Sequence, residues 1–215
     1  MLRGPLPPAW LGRWRVQNDG GGGMKAFLRL AVLLLGLAVV GTASAAPAPA
    51  VNPENEIYLD LIYGRVVIQM RPDLAPKTCA QIKALVRKGF YNGSPFFRVI
   101  DGFMAQTGDP TGTGTGGSGH TLDAEFTKTP FVRGTVGMAR TSDPDSADSQ
   151  FFITFAPAPQ LDDKYTVWGQ VISGMGFVDR IKKGSSAEDG KVFDPDTIVK
   201  MQIAADAIKA GDKGH

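Results

Sequence analysis

Few of the residue types that usually carry covalent or metal chemistry are present. The 215-residue chain has one cysteine, Cys79, and two histidines, His120 and His215. This excludes an internal disulfide and a cysteine-rich zinc site. It also leaves little material for a Ser–His–Asp triad or a histidine-ligated metal. Three patterns look chemical as text. Gly112-x-Gly114-x-x-Gly117 spells a dinucleotide fingerprint, but that motif needs a helix starting at its end, and here Ser-Gly-His-Thr follows. Asp143-x-Asp145 with Asp148 lacks the central glycine and bidentate glutamate of a calcium loop, so a solvated turn around Pro144 is expected. His120, alone, reads as a structural or surface residue. Arg98 lies among Phe96, Phe97 and Val99, a poor setting for an ordinary surface ion pair. A guanidinium is permanently charged, planar and rigid, so it serves as a fixed hydrogen-bond donor rather than as an acid or base. Neither a metal nor a cofactor is expected.

The elements that would hold such a residue read as mainly β. Apolar residues make up 43% and charged residues 20%, a globular composition, and 27 Gly with 15 Pro call for many turns. Ile57, Leu59 and Leu61, then Val66, Ile68 and Met70, alternate about Tyr63-Gly64 and predict a hairpin. Pro76 suits the first turn of a helix whose apolar stripe is Cys79, Ile82, Leu85 and Val86 and whose stop is Gly89. Cys79 on that stripe reads as a core residue. A strand over 96–104, a Gly/Thr loop over 108–119, and strands at 136–138, 150–155 and 166–171 follow. The 150–155 run is apolar enough to be buried on both faces. Met175, Val178 and Ile181 mark a second short helix, and a last strand covers 198–203. Seven or eight short strands with two helices predict a closed β-barrel with a helix at each end. The tail from Ala205 is small and polar and is expected to fray.

The first 45 residues read differently. Residues 30–41, LAVLLLGLAVVG, are too short to span a bilayer. With Lys25 and Arg29 before them and Ala43-Ser44-Ala45 after, they form a secretory signal pattern. Met24 is the expected start of translation, because residues 1–23 show no periodicity. Residues 46–55 form a Pro/Ala-rich linker, 56–204 the folded domain and 205–215 a tail. Of 23 basic and 21 acidic residues, five and one lie before residue 46, leaving 18 and 20, a net of −2 against +2 for the whole chain. A dedicated nucleic-acid binder is therefore not expected. No cysteine near the cleavage point offers a lipid anchor, so the expectation is an exported, periplasmic protein free of the membrane.

Two stretches carry a family resemblance. One runs from Tyr91 through Ser94-Pro-Phe96-Phe97-Arg98, Gly102-Phe103-Met104-Ala-Gln106 and Gly108-Asp-Pro-Thr to Gly117. The other joins Gly137-Met138-Ala139 to Ser149-Gln150-Phe151-Phe152-Ile153-Thr154. With Leu161-Asp162-x-Lys164-Tyr165-Thr-Val-x-Gly169, the chain resembles the cyclophilin-type peptidyl-prolyl cis-trans isomerases over roughly residues 56–204. The resemblance implies a closed, eight-stranded antiparallel β-barrel capped by two α-helices that acts on X–Pro segments; with the leader, the expected partners are unfolded or partly folded exported proteins, and nothing demands more than a monomer.

That activity can be argued from physical chemistry. Amide resonance raises a barrier of about 18–20 kcal/mol to rotation. No bond breaks, so no nucleophile or base is needed. At the twisted transition state the prolyl nitrogen regains its lone pair, and a donor that strengthens only there speeds the step. The resemblance assigns that donor to Arg98, with Gln106 and Phe103 completing the catalytic set. It places Met104, Phe152 and Leu161 with Phe103 around the proline ring, and Gln150 with Gln106 on the peptide carbonyls. Ala139 and Arg140 line the neighbouring groove, and Gln160 and Tyr165 complete the substrate contacts. Phe97 stands where the family often has His and Arg140 where it usually has Asn, so groove polarity and substrate preference should differ. Gln160 stands where eukaryotic members often carry a cyclosporin-contacting Trp, so cyclosporin should bind weakly. Tyr165 is an aromatic usual in bacterial relatives. The same groove could instead serve a proline-peptide-binding chaperone module with little catalysis.

Overall fold

The computed structural model describes residues 52–212. The expected signal segment and start codon lie outside them. Eight strands and three helices run in the order β1 (Glu56–Leu61), β2 (Gly64–Met70), α1 (Pro76–Arg87), β3 (Arg98–Ile100), β4 (Met104–Thr107), β5 (Thr135–Met138), β6 (Phe151–Thr154), β7 (Val167–Ser173), α2 (Met175–Asp179), β8 (Lys200–Ile203) and α3 (Ala204–Lys209). All pairings are antiparallel, in the order β3-β4-β6-β5-β7-β2-β1-β8. Alternation does the sorting. In β1, Ile57, Leu59 and Leu61 are buried and their neighbours are not. The inner face and α1 share one core containing Ile57, Ile68, Ile82, Phe151, Ile153 and Trp168.

The expected helix at Pro76 forms, and its exposed N–H groups find a distant cap. The Glu125 carboxylate accepts from Lys77 N (2.9 Å), Thr78 N (2.9 Å) and Thr78 Oγ1 (2.7 Å). Its other end closes as the sequence indicates, with Gly89 N–H on Val86 C=O and Phe90 N–H on Leu85 C=O. Cys79 is buried on the helix stripe, and burial pushes its thiol up to about 11, which leaves it unreactive at neutral pH.

Three expectations need correction. First, closure of the barrel by a strand ladder is not seen. The sheet curls, but no ladder joins its edge strands β3 and β8. The outward backbone groups around β3 are already taken: Val99 N donates to Gly190 O (2.7 Å), Gly184 N to Val99 O (2.9 Å) and Val192 N to Phe97 O (3.0 Å). A loop therefore covers β3 itself, while the residues just before β3 meet those before β8: Gly93 N donates to Ile198 O (2.7 Å), Phe96 N to Asp196 O (2.9 Å) and Ile198 N to Ser94 O (2.9 Å). Second, residues 96–104 are not one strand. The chain turns at Asp101 and Gly102, with Phe103 N donating to Ile100 O at 3.0 Å, and β3 and β4 form a hairpin. Third, the expected tail does not fray immediately. Ala204, Ala205 and Ala207 are buried in α3, and Asp206 pairs with Arg87 on α1 at 2.9 Å. At the other end, residues 53–55 of the expected linker form a 3-10 turn. The Asn55 side chain there accepts from Lys83 Nζ on α1 at 2.7 Å. Among the described residues no helix is long and apolar enough to cross a membrane.

Candidate active site

The outer face of β3, β4 and β6 carries the site. Arg98 pairs with Gln106 across β3–β4, and Gln106 with Phe152 across β4–β6. Because strand side chains alternate, these share one face, while Val99, Ala105, Phe151 and Ile153 point into the main core. Residues 151–154 are all buried, as their composition indicates: Phe151 and Ile153 enter the main core and Phe152 a second one.

That second core is the apolar floor. It contains Met104, Phe131, Phe152, Ala158, Leu161 and Val167, with Phe103, Ala139 and Tyr165 packed at its margin. Phe131 stacks on Phe152 (5.7 Å, 24°), and Tyr165 meets Phe152 edge-on (5.8 Å, 85°). Gly137 makes the ring packing possible, since a Cβ there would lie 2.7 Å from Phe131 and 2.8 Å from Phe152.

Above the floor opens a cavity of about 170 Å³ lined by Arg98, Phe103, Met104, Gln106, Ala139, Arg140, Phe152, Leu161 and Tyr165. Sequence reasoning named each of these. A polar chain crosses the rim. Arg98 Nη1 donates to Gln106 Oε1 (3.2 Å), and Gln106 Nε2 to Gln150 Oε1 (2.9 Å). Gln150 Nε2 then donates to the carbonyls of Gly114 (3.0 Å) and Gly116 (2.9 Å). Gln150 thus lies beside the cavity, in an adjoining groove that also contains Arg140 and the glycine-rich loop. Arg140 is tied down. Its Nε and Nη2 donate to Lys164 O (3.0 and 2.9 Å), and its guanidinium sits 4.7 Å from the centre of the Tyr165 ring.

Gln160 is the predicted residue that lines neither the cavity nor the adjoining groove. Its side chain is exposed on the turn before Leu161, and its carbonyl accepts from Lys164 Nζ at 3.3 Å. The turn directs Leu161 inward, and its neighbour consequently faces out. Phe97 also lies off the cavity, buried near Gly114.

The glycine-rich loop is a wall organised by one carboxylate. Asp109, fully buried, accepts from Thr111 N, Thr111 Oγ1, Gly114 N and Gly116 N at 2.7–3.0 Å. Burial works to raise this carboxyl, but the hydrogen bonds from Thr111, Gly116 and Gly114 prevail and hold it down to about 2. Asp143, Asp145 and Asp148 likewise accept from nearby backbone or hydroxyl groups.

Sequence reasoning missed two residues. Phe131 sits under the ring pocket, and Asp189 clasps Arg98, with Arg98 Nη2 on Asp189 Oδ1 at 3.0 Å. Phe131 follows Pro130 in a segment without periodicity. The sole cue at Asp189 is an Asp-Gly turn dipeptide, 91 residues from Arg98 in the chain.

Comparison with known proteins agrees with this geometry. The family model described as "Cyclophilin type peptidyl-prolyl cis-trans isomerase/CLD" matches residues 56–203. A probable peptidyl-prolyl cis-trans isomerase of Brucella suis is 52% identical over 193 residues, covering 84% of this chain and 98% of its own. The human peptidyl-prolyl cis-trans isomerase-like 1 is 38% identical over 164 residues, covering 73% and 96%. Among solved structures, a cyclophilin-type isomerase of Cryptosporidium parvum crystallised in the presence of the dipeptide Ala-Pro superposes with a TM-score of 0.63. It is 31% identical, covering 69% of this chain and 98% of its own. A cyclophilin of Hirschia baltica gives a TM-score of 0.65 at 28% identity, covering 73% and 76%. This chain therefore belongs to the cyclophilin-type peptidyl-prolyl cis-trans isomerases and is an enzyme of that class.

Proposed function

We propose that the enzyme accelerates X–Pro rotation in exported proteins, with Arg98 as the donor to the prolyl nitrogen in the twisted transition state. The observation that carries this reading is one juxtaposition. A guanidinium held by Gln106 stands at the rim of a cavity floored by Met104, Phe152 and Leu161. The apolar floor takes the proline ring. Gln106 keeps one Nε2 hydrogen beyond its bond to Gln150 and is the donor to a flanking peptide carbonyl, Gln150 steadies Gln106 because its own Nε2 hydrogens go to Gly114 and Gly116, and Ala139, Arg140 and Tyr165 continue the groove. The relative crystallised with Ala-Pro supports a proline-containing ligand for this cavity. Export, with clients in the periplasm, is the reading that the leader pattern at 30–45 supports.

Charge-assisted donation contributes about 1.5–3 kcal/mol, or roughly 10- to 150-fold in rate. The test is exchange NMR of an X–Pro peptide with the full chain. Arg98→Ala should lose that factor while its amide spectrum stays folded. A variant that keeps the full rate sinks the mechanism. No exchange with the folded wild type would leave a peptide-binding module.

A further inference from the structure

We propose that Asp189 is a positioning residue for this enzyme, holding the rear edge of the Arg98 guanidinium so that its terminal N–H groups stay aimed at the substrate; the proposal rests on Arg98 being the donor.

The contacts divide the guanidinium into two sides. Arg98 Nε donates to Asp189 O (3.0 Å) and Asp189 Oδ2 (3.1 Å), and Nη2 donates to Asp189 Oδ1 (3.0 Å). Nη1 donates to Gln106 at 3.2 Å. The Nε–Nη2 edge is thus clasped side-on by one residue, through carboxylate and carbonyl together. Further N–H groups remain on the terminal nitrogens, at the cavity that Arg98 lines.

Asp189 is itself placed by the backbone. The loop over 184–192 is sewn onto the outer edge of β3 through Gly190 O and Gly184 N on Val99 and through Val192 N on Phe97 O. Gly190 (φ +82°) allows the approach, since a Cβ there would lie 2.5 Å from Ile100. Asp189 adopts the left-handed conformation (φ 53°, ψ 36°), which side-chain-bearing residues disfavour. That conformation turns its carbonyl and carboxylate onto the same guanidinium.

Stability does not account for this arrangement. The Asp189 side chain is 79% exposed and that of Arg98 is 32% exposed, a setting in which ion pairs add little to folding. Orientation does account for it. A long, rotamer-rich side chain on an edge strand loses its freedom before the substrate arrives, so the transition state need not order it.

The test uses the full chain with Asp189→Gly, which removes the carboxylate and tolerates the left-handed backbone, and Asp189→Asn, which keeps one acceptor. Exchange NMR on an Ala-Pro peptide gives kcat, and titration gives Kd. Asp189→Gly should lower kcat about threefold to tenfold with Kd unchanged within about twofold. Asp189→Asn should fall between. The Arg98 Nε–H resonance should lose its protection from solvent exchange. In an Arg98→Ala background Asp189→Gly should cost nothing more. Unchanged or raised kcat, a loss confined to Kd, or an equal loss without Arg98 each overturns the proposal while Arg98→Ala still upholds the donor. Full activity of Arg98→Ala overturns both.

Discussion

Arg98 and Gln106 stand directly opposite each other across the β3–β4 hairpin, and Arg98 Nη1 donates to Gln106 Oε1 at 3.2 Å. The hairpin register makes this pair, since a slip of one residue would send Gln106 into the core and bring Ala105 beside Arg98. The same register continues to Phe152 on β6, which lines up the guanidinium, an amide and an aromatic ring on three adjacent strands.

The polar chain should matter beyond Arg98. Gln150→Leu removes the acceptor for Gln106 and the donor to Gly114 and Gly116. Losing neutral hydrogen bonds of about 0.5–1.5 kcal/mol should lower kcat/KM about threefold to tenfold. Exchange NMR checks this, and an unaltered kcat/KM contradicts it.

Phe151 and Phe152 are neighbours with different duties. Phe151 packs edge-on against Tyr91 and Trp168 in the main core. Phe151→Ala should cost about 3–5 kcal/mol in urea unfolding yet leave turnover per folded molecule intact. Phe152→Ala empties the floor of the cavity and should abolish most peptide turnover. Equal activity losses per folded molecule would show that the two faces are not functionally separate.

Asp109 predicts acid sensitivity. Its folded-state value of about 2 lies below the ordinary carboxylate value of about 3.9. The stabilisation is therefore complete above about pH 4 and is lost as pH falls toward 2; it amounts to about 2–3 kcal/mol. Urea midpoints at pH 5 and pH 3 should differ for the wild type by more than for Asp109→Asn. Identical slopes would assign the acid loss to other carboxylates.

Cyclosporin should bind weakly, because Gln160 is exposed and offers no indole at the edge of the groove. Isothermal titration should give no sub-micromolar affinity, and Gln160→Trp should tighten binding. A tight wild-type complex would refute the expectation.

Much was legible before any coordinates. The alternation over 57–70 and the stripe over 79–86 are local patterns, and each is enforced by one buried face. The motifs over 91–117, 137–154 and 161–169 together were enough to indicate the family and the cavity residues. The turn at Asp101 and Gly102 was not legible, because the residues on both sides are apolar and the run looks like one strand. The α3 helix was missed because six residues, under two turns, give no readable period, and only burial of Ala204, Ala205 and Ala207 reveals their packing.

The sequence by itself determined the strand and helix faces, the family and the set of side chains that line the cavity. These rest on short periods and on residue types that the chemistry requires. Tertiary structure decided that a loop rather than β8 covers β3, that Phe131 lies beneath Phe152, that Gln160 faces out and that Asp189 clasps Arg98. Each of these depends on which distant backbone groups remain free to pair once the sheet has curled. Local hydrophobic periodicity carries no record of that, because it reports how a residue sits on its own element and not which segment arrives to cover it.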